Sequence, residues 1–70
     1  MMPLTFACPG KSYEIRKICG RPDIRKHLEN LGFVVGGSVT PVSMVQGNLI
    51  VSVKEVRVAI SKEMACKIMI

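Results

Sequence analysis

A mainly β domain with one short helix inserted after the first strand, curled into a small barrel, is the architecture this sequence predicts. Three observations carry that expectation. The chain has 70 residues, enough for one compact core and too few for a second domain or a large catalytic cleft. Beyond Gly36-Gly37 it holds three runs rich in Val and Ile separated by short turns, the pattern of an antiparallel meander. Before them, one apolar stripe at helical spacing is bounded by Gly and Pro. Composition agrees, since 49% hydrophobic and 21% charged residues lie well away from the profile of a disordered chain.

Residues 12 to 18 open the β pattern, with Tyr13 and Ile15 alternating against Glu14 and Arg16. Gly20 and Pro22 stop that strand. Asp23 is expected to cap a helix whose buried stripe is Ile24, Leu28 and Leu31. Gly32 suits the left-handed position that ends such a helix, which places Phe33 back over Leu28. Ser38 to Val45, Asn48 to Val53 and Val56 to Ile60 follow as strands. Gln46-Gly47-Asn48 makes a natural first turn, whereas Lys54-Glu55 is a poor one, so a longer type I turn or local strain is expected there. Pro41 lacks an amide donor and is expected at an edge or a bulge. Leu49, Val51 and Val53, with Val56, Val58 and Ile60, would share the interior. Ser61 is expected to cap a single turn from Lys62 to Cys66, and Lys67 to Ile70 to pair with the first strand and close the barrel.

Ten Lys and Arg against five Asp and Glu give a net charge of +5, and six of those ten bases fall between Lys11 and Lys26. Such asymmetry points to an anionic partner: nucleic acid, lipid headgroups or an acidic protein face. Arg16, Lys17, Arg21, Arg25 and Lys26 are the candidate binding residues. Phe6, Tyr13 and Phe33 are the only aromatics, a thin supply for base stacking, so nucleic acid is not the expected partner. No apolar run reaches the length of a membrane span, and the first ten residues lack an export signal. A cytoplasmic protein, peripheral to a membrane at most, is expected.

Several chemistries find no support. His27 is the only histidine available to Cys8, Cys19 and Cys66, and it sits off the helix stripe, so hydrolytic catalysis is not expected. Pro9-Gly10-Lys11-Ser12 imitates the end of a P-loop, yet Thr5 stands where the first glycine belongs. The cysteines offer no local pair to nucleate a zinc site, and Cys19 and Cys66 are expected to act as small buried hydrophobes. The five carboxylates never cluster. Neither cofactor nor metal is therefore expected, and no pattern fixes an oligomeric state.

Taken together, Leu4 with Pro9-Gly10, the segment Tyr13 to Ile18 with Gly20, the helix end Leu28-Glu29-Asn30-Leu31-Gly32-Phe33, Gly36-Gly37 before Val39, Gly47 to Val51, Arg57-Val58-Ala59-Ile60, and Ala65 with Ile68 and Ile70 resemble the FeoA family, ferrous iron transport protein A. The resemblance implies an SH3-like β-barrel with one inserted helix. It also implies a small cytoplasmic accessory that docks on the cytoplasmic G-domain portion of a FeoB-type membrane iron transporter, supporting or regulating ferrous iron uptake without hydrolysing GTP. Two other roles stay open: a transition-metal sensor or chaperone domain of the kind found in metal-dependent repressors, whose domains are similar, and, from the basic segment, a nucleic-acid-binding barrel.

Overall fold

The computed structural model describes all residues, Met1–Ile70. A single 3-10 turn at Leu4–Phe6 precedes β1 (Tyr13–Glu14), β2 (Lys17–Ile18), α1 (Pro22–Asn30), β3 (Ser38–Val45), β4 (Asn48–Val53), β5 (Val56–Ser61), α2 (Lys62–Ala65) and β6 (Ile68–Met69). The mainly β reading with one principal helix after the first strands holds.

The expected first strand is two strands. Tyr13 pairs with Val39 and Glu14 with Ser38, but Lys17 pairs with Met69 and Ile18 with Ile68. The chain changes partner at Ile15 and Arg16: the Ile15 amide donates to the Gly37 carbonyl at 2.8 Å, and the next amide, of Arg16, donates to the Met69 carbonyl at 2.8 Å. Ile15 is fully buried at this corner, which joins a four-stranded sheet of order β1-β3-β4-β5 to the two-stranded sheet β2-β6.

The closing segment pairs with the first-strand region as expected. Full closure into a barrel does not follow, because β5 and β6 are not hydrogen-bonded neighbours. Ser61 explains this locally. Its hydroxyl accepts the Met64 amide at 3.2 Å and starts α2 at the end of β5, turning the chain away before the two-residue β6 begins. The amino terminus also ties down the last residues: Met2 and Ile70 exchange amide-to-carbonyl bonds of 3.0 and 2.9 Å, and Pro3 bridges Met69.

α1 starts two residues earlier than its sequence suggests. Pro22 takes the first helical position, where its fixed φ is favourable and its missing amide costs nothing. Arg21 is the N-cap without a side-chain bond, and Asp23 falls in the first turn, where its charge still favours the helix dipole. The helix end is as expected. Gly32 sits at φ +108°, its amide donates to Glu29 at 2.9 Å, and the Phe33 amide donates to Leu28 at 3.0 Å, which is the paired bonding of a Schellman stop. Phe33 and Leu28 are both fully buried in one apolar cluster with Ile15, Val39, Val51 and Ile68.

Pro41 marks a bulge, as its missing donor requires: the β3–β4 register shifts between Pro41 and Ser43. The second hairpin turn is not the longer type I form. Val53 pairs directly with Val56, and Lys54 and Glu55 adopt φ of 50° and 63°, the two positive values of a type I′ turn. The register leaves the turn no third residue. Replacing the pair by Asn-Gly (Lys54→Asn, Glu55→Gly) is expected to stabilise the domain by about 1 kcal/mol, since glycine removes a left-handed side-chain cost of roughly that size at Glu55 while Asn relieves only part of it at Lys54. Thermal unfolding measures it, and an unchanged midpoint would show that the turn stores no strain.

The β5 row also departs from expectation. Ile60 is buried, but Val56 is 60% exposed, because β5 is the sheet edge and α2 follows from its Ile60 end, leaving the turn end uncovered.

Candidate docking groove

Helix α1, the β2 strand and the loop after the Schellman stop meet at a surface groove of about 340 Å³ lined by Arg16, Lys17, Ile18, Arg25, Glu29, Val34 and Val35. Its placement follows from the local folding already described. The corner at Ile15 and Arg16 directs the chain into β2, and the helix stop brings Val34 and Val35 back beside that strand. Arg25 and Glu29 stand one turn apart on α1 and share a face. Ile18 is buried and Val34 half-buried, whereas Val35 is 65% exposed.

Three of the five candidate cations converge here: Arg16, Lys17 and Arg25. Arg21 does not. It lies 3.5 Å from Asp23 in the chain's one ion pair, with both side chains largely in solvent, where such pairs contribute little. Lys26 is exposed and outside the groove, as a residue about 100° further round the helix from Arg25 would be. Arg16, Lys17 and Arg25 therefore have no carboxylate within ion-pair distance. Sequence reasoning missed Glu29, Val34 and Val35; the available signal was an apolar pair directly after the buried Phe33 and before any strand.

A second, broader depression of about 490 Å³ lies by the chain ends, lined by Met1, Met2, Ser12, Tyr13, Glu14, Arg16 and Ile70. Arg16 lines both concavities, and Glu14 offsets it in this one. The Tyr13 hydroxyl accepts the Cys8 amide at 3.0 Å, and the Lys11 ammonium stands 5.6 Å from the ring centre, within cation–π range.

The thiols correct another expectation. Cys66 is exposed and Cys19 only half-buried, so neither is a buried core residue; the first half-turn after α2 places Cys66 outward, its sulfur 3.9 Å from the Thr5 hydroxyl. No three His, Cys, Asp or Glu side chains come together, and His27 is exposed. No helix is long and apolar enough to cross a membrane.

These features define a small mainly β domain with a cationic, apolar-floored surface groove. Comparison with known proteins places it. The FeoA domain model matches residues 2–70, and the chain belongs to the FeoA domain family. Among solved structures, an iron uptake regulatory protein (FeoA) is 31% identical, with 97% of this chain and 90% of that chain covered and a TM-score of 0.89. Iron(II) transport protein A from Clostridium thermocellum shares the fold at a TM-score of 0.90 and 20% identity, covering 97% of this chain and 43% of that one. ScaR with bound Zn2+ shares it at 0.85 and 17%, covering 97% and 35%. No curated protein sequence matches the chain significantly.

Proposed function

We propose that this domain is a non-enzymatic accessory of ferrous iron uptake that works on the cytoplasmic side of the membrane, docking on the cytoplasmic G-domain portion of a FeoB-type iron transporter. Family membership ties the chain to iron uptake. The observation that carries docking is the groove itself, where Arg16, Lys17 and Arg25 stand unpaired around an apolar floor. Unpaired surface cations accelerate encounter with an acidic face and fix orientation. An aliphatic floor then holds what the charge has steered. The two sheets read as the halves of an SH3-like barrel left open between β5 and β6, a scaffold that presents the groove on one side.

Affinity capture from cell membranes with the intact protein, followed by identification of the bound polypeptides, tests the reading. The transporter is expected to be retained at low salt and released as salt rises, because exposed charge contacts are screened. Capture of other proteins without the transporter would overturn it.

A further inference from the structure

The groove contains three cations and one carboxylate, Glu29, around Ile18, Val34 and Val35. We propose that it binds a short acidic peptide segment bearing one aliphatic side chain: the carboxylates meet Arg16, Lys17 and Arg25, and the aliphatic group covers Val34 and Val35. This rests on the docking reading and names the chemistry of the segment that is recognised.

Charge complementarity sets the first half of that chemistry. None of the three cations has an ion-pair partner within the chain, so a ligand carboxylate displaces no internal contact. Two of them are arginines, whose planar forks match a carboxylate with two parallel bonds. The floor sets the second half. Val35 is 65% exposed although it directly follows Phe33 and Val34 into the domain surface, and a ligand that carried charge alone would leave this aliphatic surface wet. A volume of about 340 Å³ is at the low end for ligand sites, suited to a side chain and its neighbours.

Other anions fit less well. Single-stranded nucleic acid needs ring faces for its bases, and no aromatic lines the groove: Phe33 is buried and Tyr13 faces the other depression. Recognition of an anionic bilayer draws on clusters of four or more bases on a projecting surface, whereas here three bases surround a concavity.

The test is titration of the isotope-labelled full chain with a synthetic peptide of Asp and Glu residues around one central Leu. Amide shifts are expected at Arg16, Lys17, Ile18, Arg25, Val34 and Val35. Affinity is expected to fall about tenfold when the peptide Leu is replaced by Ser, and by a similar factor in a Val35→Ser protein, as burial of one aliphatic group predicts. Val35 is exposed, so that variant keeps its fold. A thymidine oligonucleotide and phosphatidylglycerol vesicles are titrated in parallel. Equal binding of the Leu and Ser peptides, shifts confined to another surface, or tighter binding of the oligonucleotide or the vesicles would each overturn the proposal. Transporter capture without peptide binding overturns this proposal and leaves the docking reading standing; peptide binding without transporter capture supports this chemistry and removes that reading.

Discussion

Phe33→Ala is expected to be the most destabilising single substitution in the core, lowering the unfolding free energy by about 3–5 kcal/mol. Removing a fully buried Phe costs about 3–5 kcal/mol from lost transfer energy and the cavity left behind, and Phe33 has no exposed surface. A domain of this length has roughly 0.05–0.15 kcal/mol of stability per residue, so the loss takes about a third of it or more. The site also cannot collapse easily, because the Phe33 amide is held by the Leu28 carbonyl in the helix stop and the ring is flanked by that same buried leucine. Phe33→Leu, which keeps most of the volume, is expected to cost about 1.5 kcal/mol or less. Denaturant titration distinguishes the two, and an Ala variant with an unchanged midpoint would show that the ring is not the keystone of the core.

Reversing Arg16, Lys17 and Arg25 to Glu is expected to weaken capture of the transporter by about a hundredfold, since like charges brought face to face at an interface are repulsive by several kcal/mol. Reversing Arg21 and Lys26 instead is expected to weaken it far less. Those two carry the same charge per residue but lie outside the groove, one of them beside Asp23. Equal losses per reversed charge in the two variants would mean that the whole basic face acts through its net field, with the groove playing no particular part. All five side chains are exposed, so folding is not at stake in either.

Those cations show where sequence reasoning succeeds and where it stops. Arg25 and Lys26 are neighbours in the chain, but a helix sends neighbours in different directions, and only the placement of α1 across the groove from β2 decides which one lines it. The helix stop was legible because Gly32 and Phe33 answer a local demand of backbone geometry. So was the bulge at Pro41, where the missing amide leaves few alternatives. The break between β1 and β2 has a faint mark in the sequence: alternation of apolar and polar residues runs only to Arg16, and Lys17 and Ile18 fall out of phase where the hydrogen-bond partner changes from β3 to β6. At Lys54-Glu55 the strained form, the second of the two expected there, is the one adopted. Local preference argued against two left-handed residues, but the Val53–Val56 pairing imposed them. Val34 and Val35 escaped notice because apolar residues outside a strand or helix carry no periodicity to read.

The reciprocal bonds between Met2 and Ile70 have a practical consequence for engineering. Entry and exit of the polypeptide lie side by side, so the domain can be spliced into a surface loop of a host protein as a self-contained bead, with only brief spacers on either flank. The same adjacency makes a circularly permuted form feasible, with new ends opened at the exposed Gln46-Gly47 tip.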